Sequence, residues 1–183
     1  MDLEPTKIEG LFVANSNAHQ DPRGAFLRCF CQASLENIVG DRRILQINHS
    51  QTNEVGAVRG LHFQYPPCAE MKMVRCLKGR VWDVAVDIRK GSRTFLNWHA
   101  EELSPLNNRM MVIPEGFAHG FQVLEPKSEL MYLHTAFYNS NYEGGLRFDD
   151  PQLGIPWPLA VGDLSERDQR HPVLIERFEG VSL

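Results

Sequence analysis

The chain has 183 residues, 43% of them hydrophobic and 23% charged, with a formal net charge of −4. That size suits one domain, 1–183, around a single core. The charge gives no basic field for holding nucleic acid, and no apolar run approaches the roughly 20 residues of a membrane-spanning helix. Taken from the N-terminus, Met1-Asp2-Leu3-Glu4 lacks the cationic and apolar regions of a secretory leader. Residues 1–30 read as an arm. The four cysteines, Cys29, Cys31, Cys68 and Cys76, form no C-x-x-C pair, so we expect free thiols and a cytoplasmic location. Ser34–Val39 offers a short helix. Met71–Ile88 reads as a β-hairpin, with strand Met73–Leu77, turn Lys78-Gly79 and return strand Arg80–Ile88. In the return strand Trp82, Val84, Val86 and Ile88 share one face, and Asp83 and Asp87 the other. Leu130–Tyr138 reads as a strand with Tyr132, His134 and Tyr138 on one side and Met131, Leu133 and Phe137 on the other, a pattern that suits a cavity wall. The proline-rich stretch 150–183 (Pro151, Pro156, Pro158, Pro172) is expected to wrap the body as loops. Ser165 there is placed to cap a short helix through Asp168. Glycine and proline punctuate short apolar runs throughout, the rhythm of an all-β sandwich or barrel.

Three places gather polar groups among strand-like sequence: Arg59–Gln64, Lys72, and Pro114–Gly120. Pro114-x-Gly116-x-x-His119 resembles the second motif of cupins, whose histidine usually binds a metal. The first cupin motif ends in glutamate, six residues, then glycine. Here Lys72 stands six residues before Gly79. An ammonium has three donors and no lone pair, so it repels a divalent cation and attracts an anion. The His-x-His ligand pair is also replaced, by His62-Phe63-Gln64. We therefore expect no bound metal. Histidines, a lysine and the arginines Arg23 and Arg59 suit a phosphate-bearing ligand.

Asp21–Phe26, Gln46–Ser50, Arg59–Gln64, Val81–Ser92, Ile113–Phe121, the Tyr132/Thr135/Tyr138 triplet, Asp149–Pro158 and Leu164–Asp168 follow one another in a recognisable order. Together they resemble the dTDP-4-dehydrorhamnose 3,5-epimerase family over about residues 10–175. The resemblance implies an all-β, cupin-type antiparallel sandwich or jelly-roll barrel and a cofactor-independent isomerase. Such an enzyme removes and returns protons beside the 4-keto group of a nucleotide-linked deoxysugar, as a step in cell-surface polysaccharide synthesis. His62 matches the base and Asp168 its orienting carboxylate. Lys72 matches the cation facing the enolate oxygen, and Tyr132 the acid on the opposite face. Tyr138 matches the ring that stacks on thymine. Arg23, Gln46, Asn48, Arg59, His119 and Glu143 match positions holding the nucleotide diphosphate and sugar. A homodimer is implied, with the arm near Arg23–Phe30 crossing to the partner.

Two positions depart from the family pattern. Arg28 stands where glutamate is usual, and Arg167 where lysine is usual. Both belong to the expected substrate-binding set, and both bear on the choice of nucleotide, sugar and carbons inverted. Epimerisation at C3 and C5 of dTDP-4-dehydro-6-deoxy-D-glucose is the leading expectation. A single-carbon epimerase on a dTDP- or CDP-linked relative is the alternative. A non-catalytic sugar-nucleotide binder is opposed by the base and acid at His62 and Tyr132, and a metal-dependent cupin oxygenase by Lys72 and Gln64.

Overall fold

The computed structural model describes residues 1–174 and 178–183. Among these the short apolar runs form strands β1 (Asp2–Pro5), β2 (Phe12–Asn15), β3 (His19–Asp21), β4 (Gly24–Phe26), β5 (Gln46–Thr52), β6 (Val58–Gln64), β7 (Lys72–Lys78), β8 (Val81–Asp87), β9 (Trp98–Leu103), β10 (Arg109–Ile113), β11 (Phe117–Val123), β12 (Ser128–His134) and β13 (Glu143–Gly145). Two helices accompany them, α1 (Gln32–Val39) and α2 (Glu166–Gln169). One sheet has the order β1-β2-β10-β7-β12-β5 and the other β13-β6-β11-β8-β9, while β3 and β4 pair only with each other. All strand pairings are antiparallel.

This is the expected antiparallel sandwich, and period-2 alternation explains its layers. On β7, Val74 and Cys76 point between the sheets with Val81 and Ala85 of β8, Phe117 and Phe121 of β11, and Leu130 of β12. The opposite faces are also covered. Leu35 and Val39 of α1 lie against Met73, Met110 and Leu133 on the outside of the six-stranded sheet. Leu146, Leu153, Leu174, Val181 and Trp157 lie against Leu61, Val84 and Val86 on the outside of the five-stranded sheet. Fully burying one such side chain contributes about 1.5–3 kcal/mol. These apolar layers therefore hold the fold and leave room for a polar end between the sheets.

Two expectations are corrected. β7 and β8 do not form a hairpin. β7 pairs with β10 and β12, and β8 with β9 and β11. Gly79, at φ +73°, turns a corner from one sheet to the other. Both strands are nearly buried on both faces and already flanked on two edges, so neither has an edge free for the other. The strand expected over Leu130–Tyr138 runs from Ser128 to His134. After His134 the ladder ends: the Thr135 amide donates to the Met71 carbonyl, its hydroxyl oxygen accepts from the Met71 amide at 2.9 Å, and Tyr138 leaves the sheet, exposed.

Candidate active site

The alternation that packs the core also aims the chemistry. His62 on β6, Lys72 on β7, His119 on β11 and Tyr132 on β12 all face a cavity of about 750 Å³ between the sheets, with Asn48, Ser50, Arg59, His134, Arg167 and Asp168 also in its walls.

Asp168 reaches the cavity from α2, whose N-cap is Ser165, with Ser165 Oγ accepting from the Asp168 amide at 3.1 Å. The carboxylate is 2% exposed. Oδ1 lies 2.7 Å from His62 Nε2, and Oδ2 accepts from the Gly60 amide at 3.1 Å. Burial works against the charge. The His62 contact, the Gly60 N–H and the Arg167 cation outweigh it and hold the carboxyl far below the usual carboxylate range. With Nε2–H given to Asp168, Nδ1 is the ring nitrogen left to accept a proton. Gly60 is required for this arrangement. It sits at φ +120°, and a Cβ there would lie 2.6 Å from Gly120 Cα and 2.7 Å from the His119 carbonyl oxygen.

Tyr132 faces the dyad from the other sheet. Burial pushes its phenol well above the ordinary value, opposed by the hydrogen bond with Ser50 at 3.1 Å. The phenol therefore stays protonated, as a donor must. His119 is buried against Asp83, Nε2 to Oδ1 at 2.8 Å. Burial raises Asp83 and lowers His119, both toward the uncharged form. Lys72 is 3.3 Å from Glu70 Oε1, and His134 Nδ1 is 2.8 Å from Glu70 Oε2. Burial pushes Glu70 up, but His134 and Lys72 prevail and hold it below the usual value.

The remaining expected residues divide. Arg59 lines the cavity. Gln46, Tyr138 and Glu143 sit at its exposed edge: Gln46 donates to Asn48 Oδ1 at 3.1 Å, and Tyr138 donates through its hydroxyl to Glu143 Oε2 at 3.1 Å. Arg167 Nη1 donates to Glu143 Oε1 at 2.9 Å and Nε to Asp168 at 3.3 Å. Its Nη2 lies 2.9 Å from His62 Nε2, so the guanidinium competes with Asp168 for that nitrogen. Arg23 and Arg28 do not join the cavity of their own chain. Arg23 is 90% exposed and pairs with Asp21 on the β3–β4 hairpin, and Arg28 is exposed beside Cys31. The separate hairpin carries Arg23 away from the body, because β3 and β4 bond only to each other.

His134 lines the cavity beside Tyr132, as the alternation of its strand led us to expect, whereas Asp83, Glu70 and Ser50 touch the site residues without having been expected there. The signal was present for Ser50, which shares a strand face with Asn48. Among the described residues His62, Asp168 and His171 bring one potential metal-ligating atom each within 4.8 Å of one another. The Arg167 guanidinium beside the same His62 nitrogen and the Lys72 ammonium in the same cavity make that donor set a poor host for a cation.

Comparison with known proteins bears on this geometry. The family model for dTDP-4-dehydrorhamnose 3,5-epimerase matches residues 5–176. The dTDP-4-dehydrorhamnose 3,5-epimerase of Shigella flexneri is 41% identical over 169 residues, 92% of this chain and 93% of that one. The dTDP-4-dehydrorhamnose 3-epimerase of Streptomyces niveus is 36% identical over 96% of this chain and 85% of that one. The dTDP-6-deoxy-D-glucose-3,5-epimerase of Legionella pneumophila, solved with dTDP-4-keto-L-rhamnose, superposes with a TM-score of 0.92 at 37% identity, covering 100% of this chain and 98% of that one.

Proposed function

The chain belongs to the dTDP-4-dehydrorhamnose 3,5-epimerase family, and from that premise we propose that it is an epimerase inverting C3 and C5 of dTDP-4-dehydro-6-deoxy-D-glucose. The observation that carries the reading is the opposed pair: His62, held by Asp168, on one sheet and the partly buried Tyr132 phenol, hydrogen-bonded to Ser50, on the other. A ketone acidifies its neighbouring C–H bonds, so a positioned base needs no cofactor to remove the proton. His62 Nδ1 takes the proton, and Asp168 supports the imidazolium that forms. Negative charge moves to the C4 oxygen, where Lys72 offers a fixed cation. Tyr132 then delivers a proton to the opposite face of the same carbon, and the configuration inverts.

Arg59, His119, Asn48 and Arg167 hold the nucleotide-linked sugar, with Gln46, Glu143 and Tyr138 receiving the nucleobase end. Arg23 and Arg28 complete the site from a second copy. Exposed Phe26 on the hairpin, with Ile47 and Phe137 near the cavity edge, supports a homodimer in which the hairpins are exchanged. A cytoplasmic home belongs to the same reading, supported by the four free thiols. The alternative, inversion at one carbon, is favoured by the likeness to the Streptomyces niveus 3-epimerase. Incubation with dTDP-4-dehydro-6-deoxy-D-glucose in D₂O decides: deuterium at C3 and C5 with L-configured product is expected. Deuterium at one carbon supports the alternative, and no incorporation overturns both.

A further inference from the structure

One continuous chain of polar contacts joins the exposed edge of the cavity to its floor, and its donors all run the same way. The Tyr138 amide donates to Gln46 Oε1 at 3.2 Å. Gln46 Nε2 donates to Asn48 Oδ1 at 3.1 Å. Asn48 Nδ2 donates to His134 Nε2 at 3.3 Å. His134 Nδ1 donates to Glu70 Oε2 at 2.8 Å. Lys72 closes the series from the other side, 3.3 Å from Glu70 Oε1. The contact with Asn48 requires a bare Nε2, which leaves the proton on Nδ1, where the carboxylate needs it. Every donor thus finds an acceptor and the polarity ends on a single anion, the arrangement in which successive bonds strengthen one another.

The ends of this series differ in a way that suggests a use. Glu70, Lys72 and His134 have side chains only 10%, 12% and 9% exposed. Tyr138 and Asn48 are open to solvent and to a ligand. Both nitrogens of His134 are engaged, so it has no lone pair or proton free for the substrate. Its place is that of a strut between Asn48 and Glu70. Glu70 in turn has one oxygen on the strut and one on the ammonium.

We propose that Glu70 and His134 are positioning residues that link engagement of the nucleobase at Tyr138 to the placement of Lys72 at the sugar. A base seated at Tyr138 fixes Gln46 and Asn48, which fixes His134, which sets the Glu70 carboxylate against which Lys72 is held. Binding energy from a part of the substrate remote from the chemistry is thereby spent in the transition state. The inference rests on the epimerase reading above and adds the route by which the nucleotide contributes to rate.

The test compares dTDP-4-dehydro-6-deoxy-D-glucose with its analogue lacking the nucleoside, the 4-keto-6-deoxyglucose 1-diphosphate, in wild-type protein and in His134→Leu and Glu70→Gln. Site-to-site couplings typically amount to about 5- to 150-fold. In the wild type, removing the nucleoside should lower kcat by a factor in that range as well as raise KM. In each variant kcat on the full substrate should fall toward the wild-type value on the truncated one. Removing the nucleoside should then raise KM with little further loss of kcat. Glu70→Gln keeps the size of the side chain and removes its charge, so it serves if His134→Leu fails to fold. An unchanged kcat ratio between the two substrates in a folded variant overturns the proposal. A wild-type protein that exchanges no deuterium into the full substrate overturns the epimerase reading instead.

Discussion

At the scale of single residues, and among the described residues, three histidines of the cavity wall pair with a carboxylate that is at most 10% exposed: His62–Asp168, His119–Asp83 and His134–Glu70. Their surroundings give them different work. His62 keeps a free nitrogen, and its removal should therefore abolish both inversion and solvent-deuterium exchange, a loss of about 10²–10⁴-fold. Tyr132→Phe keeps the ring and loses the donor, so inversion should fall by a similar factor while some exchange survives through His62 on its own face. Near wild-type inversion by that variant would assign the acid elsewhere. Asp168→Asn should be milder than His62→Ala in kcat. It should also change the acid limb of stability. The Asp168 carboxyl is held below its ordinary value of about 3.9, so as pH falls below about 4 the unfolded chain takes up the proton first and stability is lost. The carboxamide of the Asp168→Asn variant cannot titrate, and urea unfolding between about pH 2 and 5 should show a flatter limb, that being the span over which the unfolded carboxyl takes up its proton ahead of the folded one. The His119–Asp83 pair is fully enclosed, and Asp83→Ala leaves an imidazole without its partner. Leaving a buried, uncharged hydrogen-bonding group unpaired costs about 1–3 kcal/mol, and a melting temperature lowered by on the order of 5 °C is the expected reading by circular dichroism.

At the scale of elements, α2 is one turn long and too short to stand on its own propensity. The Ser165 cap and the contacts of Asp168 hold it. Ser165→Ala should cost about 1 kcal/mol. Because the loss is confined to the turn that carries the carboxylate, kcat should drop severalfold while the melting temperature barely moves. A large global destabilisation would show that the cap serves the whole fold. Sequence made this helix legible because a capping serine before Glu-Arg-Asp is a local signal. It made Tyr132, Lys72, His119 and His62 legible because their strand parity and motif spacing are local too. It did not show which strands pair. Val81–Asp87 is buried on both faces, so its apolar pattern is the same whether it returns beside Lys72–Lys78 or crosses to the other sheet. The end of β12 was missed for a related reason: Thr135 and Tyr138 continue the alternation, and only the contact with Met71 shows that the ladder has stopped. Glu70, two residues before Lys72, became visible as a site residue only through its two partners in space.

At the scale of the whole molecule, the β3–β4 hairpin stands apart from both sheets and exposes Phe26 at 68%. Sedimentation at micromolar concentration should give a dimer, and Phe26→Asp should shift it toward monomer with loss of activity, since Arg23 and Arg28 would no longer reach a partner's cavity. A monomeric wild type would remove that reading. Chelators should leave turnover unchanged if, as proposed, the Lys72 ammonium faces the enolate oxygen; a stoichiometric ion on His62 would reverse the assignment. The placement of Asp168 has a further consequence. Apart from the stretch around Asp168 itself, the walls of the cavity come from residues up to His134. The carboxylate that supports the base arrives much later in the chain, between segments laid across the outside of the five-stranded sheet. Synthesis runs from the N-terminus at about 5–20 residues per second. In synthesis, then, the strands that carry His62, Lys72 and Tyr132 are complete seconds before the carboxylate that His62 leans on. Full activity thus waits on the docking of the single turn that carries Asp168.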